Sequence, residues 1–166
     1  MKANLSLKTP FDRLEIIHAY FMSSQESLCV VESCTGGLLS FWLTALPGAS
    51  KYFKGGLISY QREVKKRQLG ISMQEMKIKG MVTKSFANLM THSIKSKWLS
   101  DWAISTSGVA GPSLGDLGEN VGKVAFCVSS PQVQKSALKQ FYDIHRQNFQ
   151  YKASLFALDF LISELS

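Results

Sequence analysis

The sequence predicts an α/β domain, a three-layer α/β/α sandwich around a mixed sheet. Three observations lead there. Short apolar runs bounded by polar residues alternate with stretches of three-and-four spacing, as strands alternate with helices that cover both faces of a sheet. Two later strand-like runs lie close enough to pair as a hairpin. No repeat, low-complexity tract or linker interrupts the pattern, so the 166 residues read as one domain, 1–166, long enough to close a core.

From about Pro10 to Ser24, Phe11, Leu14, Ile17, Tyr20 and Phe21 recur at helical spacing, with Thr9 as cap and Pro10 at the first position. "SLCVVES" is short and apolar and reads as a buried strand. "GGLLSFWLTAL" has helical spacing and stops at "PG"; "GGLISYQ" reads as a second strand, followed by a short basic helix over "REVKKRQLG". From about residue 83 to 98 a helix places Phe86, Met90 and Ile94 on one face. "DWAISTSGVAGP" is a third strand running into a Gly-rich turn. "VGKVAFCVSS" and "SALKQFYDI" are expected to pair through the turn at "SPQVQK", and "QNFQYKASLFALDFLISEL" closes the chain as an apolar helix.

Composition narrows the function classes. No apolar run approaches the roughly 18 residues of a membrane span, and the charged N-terminal stretch does not read as a signal peptide. Cys29, Cys34 and Cys127 are odd in number and lack CxxC spacing, which argues against a disulfide framework or a zinc site and for a reducing cytoplasm. The expectation is a soluble cytoplasmic protein without metal or cofactor. The net charge of +7 fits a basic surface with no specific partner as well as it fits attraction to a phosphate-bearing ligand, and no zinc-finger or RNP pattern accompanies it to suggest nucleic acid.

Two expected strands end in polar, Gly-rich turns, "ESCTGG" and "STSGVAGP", and ligands of such sheets bind beyond the carboxyl ends of strands. In the first turn Ser33 stands at a strand-to-helix junction, where its hydroxyl either caps the helix or serves as a nucleophile near free N–H groups. Gly36 and Gly37 let a ligand approach the backbone. A serine nucleophile needs a base, and His18, His92 and His145 sit on helices or near helix ends, away from these turns. Burial of a lysine is the alternative, because desolvation favours the neutral amine. "YQREVKKRQLG" places Tyr60 at the end of the second strand and Lys65 about a turn further on, although a solvated basic helix is the plainer reading of that stretch. In the second turn Ser105 and Ser107 share a strand face, and Gly108, Gly111 and Pro112 form a turn whose N–H groups suit an oxyanion or phosphate.

Taken in order, "ESCTGGLLS…LT…PGASKYFKGGLISY…VKKRQLGI…KGMVT…STSGVAGP…VGKVAFCV" resembles the CinA C-terminal domain family, also known as the nicotinamide-nucleotide amidohydrolase family. The resemblance runs from about Leu28 to Val128. It implies an amidase that converts nicotinamide mononucleotide to nicotinic acid mononucleotide and ammonia, with a pyridine nucleotide as small-molecule partner, a homo-oligomer (dimer) as assembly and no cofactor. The family's nucleophile falls on Ser33, its lysine on Lys65, its tyrosine on Tyr60, and its Thr/Ser-Gly-Ile/Val-Ala-Gly-Pro motif brings in Ser107 and the loop Gly108 to Gly111 with Ala110. Glu32, Cys34, Thr35, Gly36, Gly37, Ser105 and Arg146 join the expected substrate-binding set, Glu32 orienting the loop or binding ribose hydroxyls.

The expected mechanism has Lys65 deprotonate Ser33, with N–H groups at the "CTGG" helix start or Ser107 holding the oxyanion and Tyr60 relaying the proton or tuning the lysine. This chain departs from the family pattern in having Gln61 and Arg62 where serine and asparagine follow the tyrosine, and Gln150 and Tyr151 where a second arginine is expected. It resembles the short form of the family, without the N-terminal nucleotide-processing domain. Two other readings remain at this stage: a nucleotide binder of the same fold without turnover, and a competence- or damage-induced factor that associates with nucleic acid.

Overall fold

The computed structural model describes residues 8–142 and 145–165. Its elements follow the order α1 (Pro10–Ser24), β1 (Leu28–Glu32), α2 (Leu38–Leu43), a 3-10 turn (Ala49–Lys51), β2 (Phe53–Ile58), α3 (Arg62–Leu69), α4 (Met73–Lys79), α5 (Lys84–Trp98), β3 (Trp102–Gly108), β4 (Lys123–Ser129), β5 (Gln134–Gln140) and α6 (Arg146–Glu164). One five-stranded sheet has the order β2-β1-β3-β4-β5. β1 pairs in parallel with both β2 and β3, while β4 runs antiparallel to β3 and β5. The sheet is therefore mixed, as expected.

Alternation along the strands sorts the core into two layers. On β1, Leu28 and Val30 face α1, α2 and α6, while Cys29 and Val31 face α3, α4 and α5. On β3, Trp102 and Ile104 join the first layer and Ala103 the second. α5 places Phe86, Met90 and Ile94 fully under the sheet, each contributing roughly 1.5–3 kcal/mol. Thr9 caps α1 in a capping box with Asp12, with Pro10 in the first turn. β1 connects to β2 across one face through α2, and β2 connects to β3 across the other through α3, α4 and α5. The loops at the carboxyl ends of the neighbouring strands β1 and β2 consequently diverge and leave a crevice.

Several boundaries differ from the sequence reading. α2 has only six residues and begins after Gly36 and Gly37 rather than at them, because both glycines adopt positive φ (64° and 101°) and form the turn itself. β2 ends at Ile58, so Tyr60 stands in the connection to α3. β5 begins two residues earlier than expected because Ser130 and Val133 close a tighter turn; Asp143 and Ile144 of the expected strand lie outside the described residues. α4 was not expected at all. Its Ser72–Glu75 capping box is complete, yet only Met76 is buried, too little periodicity to reveal a helix.

Candidate active site

The carboxyl ends of β1, β2 and β3 open on a cleft of about 630 Å³, a size suited to a small-molecule ligand. Ser33, the residue after β1, is 8% exposed and lines it. Its backbone is pinned by an N–H bond to the Thr106 carbonyl at 3.0 Å, which carries the β1–β3 ladder one residue further.

Lys65 reaches the same point from α3. It and Leu69, four residues apart, form the inward face of the helix, while Lys66 and Arg67 face solvent. Lys65 is 2% exposed, and its Nζ lies 3.1 Å from Ser33 Oγ. The amine also donates to the carbonyls of Ser59 and, at 3.1 Å, Tyr60. Burial is the main influence on Lys65 and pushes it down to about 8 from 10.5; Arg62 acts in the same direction and Asp116 opposes it. In the neutral amine, two carbonyl acceptors account for its two N–H bonds, and the lone pair is left for the Ser33 hydroxyl.

Of the two roles expected for Glu32, the structure shows the one that orients the loop. It is fully buried, and its two carboxylate oxygens accept five donors from the loop and α2: the Thr35 hydroxyl (2.7 Å), the amides of Gly37 (3.0 Å), Leu39 (3.2 Å) and Ser40 (2.8 Å), and the Ser40 hydroxyl (2.5 Å). No oxygen remains for a ribose hydroxyl, so the ribose-binding role is corrected to an anchor. The same bonds occupy the Gly37, Leu39 and Ser40 amides, and Gly36 donates to the Ser33 carbonyl, so of the "CTGG" N–H groups only those of Cys34 and Thr35 have no hydrogen-bond partner among the described residues. Gly56 of β2 belongs to this anchor, since a Cβ there would sit 1.9 Å from Ser40 Oγ. Thr35 is also buried, bonded to Glu32 and to Thr106 at 2.8 Å, and Gly36 and Gly37 stand outside the cleft lining. These three residues shape the loop rather than touch a ligand.

Ser105 and Ser107 share a face as expected, but that face looks under α5. Ser105 donates to the Ala87 carbonyl at 2.8 Å and does not reach the cleft, which corrects its substrate-binding assignment. Ser107 does line the cleft, with its hydroxyl donated to the Met81 carbonyl at 2.6 Å. Gly108, Ala110 and Gly111 line it as well, and the amides of Ala110 and Gly111 have no hydrogen-bond partner among the described residues. Cys34 lines the cleft next to Ser33, but burial pushes its thiol up to about 12, which removes it as a nucleophile.

Tyr60 is half exposed at the rim, and its hydroxyl accepts from Arg146, which also donates to the Gly111 carbonyl at 2.8 Å. The phenol thus contacts Arg146; its residue meets Lys65 only through the main-chain carbonyl, so the expected proton relay has no direct hydrogen bond to run through. Gln150 donates to the Cys34 carbonyl at 3.3 Å, and Tyr151 packs edge-on against Trp42 with ring centroids 5.4 Å apart. Both steady the Ser33 loop and α2 from α6, and neither lines the cleft. The sequence reading missed the Ser59 and Tyr60 carbonyls, the Thr106 hydroxyl and the acidic loop residues Asp116 and Glu119. Only the last two carry a side-chain signal, as acids near the "GVAGP" turn.

Residues 12–165 match the profile of the CinA C-terminal domain. The chain belongs to this family. A CinA-like protein of Prochlorococcus marinus (strain NATL1A) is 36% identical over 146 residues, which cover 87% of this chain and 34% of that protein. Another, from Thermosynechococcus vestitus, is 35% identical over 152 residues, 90% and 36% of the two chains. The chain spans about a third of the length of these curated relatives.

Among solved structures, the competence or damage-inducible protein from Enterobacter asburiae superposes with a TM-score of 0.90 at 28% identity, over 96% of this chain and 99% of that one. A CinA superfamily protein from Enterobacter cloacae gives 0.90 at 27%, over 100% and 99%. These CinA structures share the mixed α/β architecture described above. Among the described residues no helix is long and apolar enough to cross a membrane, and no group of three or more His, Cys, Asp or Glu side chains is placed to hold a metal ion.

Proposed function

We propose that this CinA domain is a nicotinamide-nucleotide amidase that hydrolyses nicotinamide mononucleotide to nicotinic acid mononucleotide and ammonia through Ser33 and Lys65. One observation carries the reading: a buried lysine amine, held by two carbonyls, lies 3.1 Å from a serine hydroxyl on the wall of a substrate-sized cleft. A structural lysine of this kind has no evident reason to be buried against a hydroxyl. A pair working as base and nucleophile does.

In the proposed reaction Lys65 takes the Ser33 proton as Oγ attacks the carboxamide carbon. The C–N bond then breaks, and the same proton passes from Lys65 to the departing nitrogen, which leaves as ammonia. Water, deprotonated by Lys65, cleaves the ester and returns the proton to Ser33. The amides of Cys34, Ala110 and Gly111, all residues of the cleft lining, are donors available for the anionic parts of the substrate, those of Gly37, Leu39 and Ser40 being occupied by Glu32. No cofactor or metal enters these steps.

The pH profile tests the assignment of the base. Only the neutral amine accepts the serine proton, and with Lys65 near 8 about a tenth of the protein is in that form at pH 7. kcat/KM for ammonia release is therefore expected to rise about tenfold per pH unit below neutrality and to level off above about pH 8. A profile that is flat or falls between pH 6 and 9 contradicts a lysine base.

A further inference from the structure

Arg62 stands at the first position of α3, where the family pattern has asparagine. Its side chain lies between the cleft and a second cavity of about 330 Å³ lined by Arg62, Met73, Met76, Lys77 and Leu117. One terminal nitrogen is 3.1 Å from an Asp116 carboxylate oxygen, while Nε is buried and has no hydrogen-bond partner. An arginine fork with an unused donor in a cleft wall is unusual, because a buried unpaired N–H is costly and is generally matched by some acceptor.

The other two cations lining the cleft are already committed. Lys65 is held by Ser33, Ser59 and Tyr60, and Arg146 by Gly111 and Tyr60. The Arg62 partner is the weakest of these. Asp116 belongs to the β3–β4 connection and its side chain is 67% exposed, so the pair is held in solvent, where such contacts contribute little. Glu119 does not compete for Arg62, since its carboxylate accepts from the Met81 and Leu117 amides.

Building on the amidase reading, we propose that Arg62 is the specificity residue of this cleft, exchanging Asp116 for a phosphoryl oxygen of the substrate so that Nε and a terminal nitrogen grip it together. A phosphate dianion offers adjacent oxygens to the two parallel N–H bonds of the fork, whereas Asp116 engages only one. The asparagine of the family pattern carries no charge and forms no such fork, so this grip is particular to chains with arginine here. Asp116 then acts as an internal competitor: it ties the β3–β4 connection to α3 and yields to a phosphorylated ligand.

The test is calorimetric binding of nicotinamide mononucleotide and of nicotinamide riboside, which lacks the phosphate, to Ser33→Ala protein so that neither is consumed. Arg62→Asn is expected to weaken the mononucleotide about 10- to 100-fold and to leave the riboside within about twofold. Arg62→Lys, a point charge without the fork, is expected to recover only part of that loss. Asp116→Asn removes the competitor and is expected to tighten the mononucleotide a few-fold without affecting the riboside.

A merely structural ion pair predicts something else: both Arg62→Asn and Asp116→Asn weaken both ligands alike. That result, an Arg62→Asn variant that binds both ligands as its parent does, or no binding of the mononucleotide at all, overturns the proposal. The amidase reading is judged separately. Ammonia release by the wild type with no phosphate-specific effect of Arg62 defeats only the present inference, and a phosphate-specific effect without ammonia release defeats only the amidase.

Discussion

Lys65→Met is expected to lower ammonia release from nicotinamide mononucleotide by about 10³-fold or more while leaving the protein folded. Methionine matches the length and bulk of the lysine stem but offers no lone pair to the Ser33 hydroxyl. Stability moves the other way from activity. Burial holds the folded-state value of Lys65 near 8, below its ordinary 10.5, so at pH 7 the ammonium is buried at a cost that the methionine does not incur. Against that gain, the Ser59 and Tyr60 carbonyls lose a donor at about 1 kcal/mol each. The two effects oppose, and the variant should melt near or slightly above the wild type at pH 7.

The pH dependence supplies a sign that packing alone does not. Between about 8 and 10.5 the unfolded chain holds a proton on Lys65 that the folded chain has released, so wild-type stability rises with pH relative to the variant across that window. Thermal melts of both proteins at pH 7 and pH 9.5 measure this. A variant that keeps more than a tenth of wild-type turnover places the base elsewhere.

The second large effect falls on Glu32. Replacing it with glutamine is expected to destabilise the fold by about 3 kcal/mol or more, read from urea midpoints. All five groups around the carboxylate are donors. A carboxamide must turn its NH2 toward either the Ser40 pair or the Thr35–Gly37–Leu39 set, and the donors on that side are left buried without an acceptor. Because the same bonds hold the residues that follow Ser33, turnover should fall with stability even though Glu32 touches no substrate in the proposed reaction. A loss below about 1 kcal/mol contradicts the anchor role.

Glu32 also shows where sequence reasoning reaches its limit. A carboxylate beside the candidate nucleophile reads equally as an anchor of the loop or as a ligand for substrate, because residue type does not say which way a side chain turns. Here the strand alternates, Val31 points one way and Glu32 the other, beneath the start of α2, and five local donors settle its role. Ser105 was misread for a related reason. Sharing a face with Ser107 was a correct inference from strand alternation, but α5 covers that face and takes the hydroxyl of Ser105. Lys65 was legible through the family resemblance; spacing placed it about a turn beyond the β2 end but left a solvated basic helix as the plainer reading. The carbonyls of Ser59 and Tyr60 that orient it were not, since every residue has a carbonyl and no side-chain pattern marks its direction.

The helices divide along similar lines. α1 and α5 carry apolar residues at regular intervals and a capping threonine each, and they were legible within a residue or two. α4 buries only Met76 and announces itself only through Ser72 and Glu75, a capping box that the eye passes over when no apolar stripe follows.

Ammonia and nicotinic acid mononucleotide should be measured from nicotinamide mononucleotide with wild-type protein and with Ser33→Ala in parallel, circular dichroism confirming that both are folded. The account predicts both products from the wild type and a loss of at least about 10³-fold in the variant. Equal turnover in the two proteins contradicts Ser33 as the nucleophile, and a wild type that binds the nucleotide without releasing ammonia contradicts the amidase.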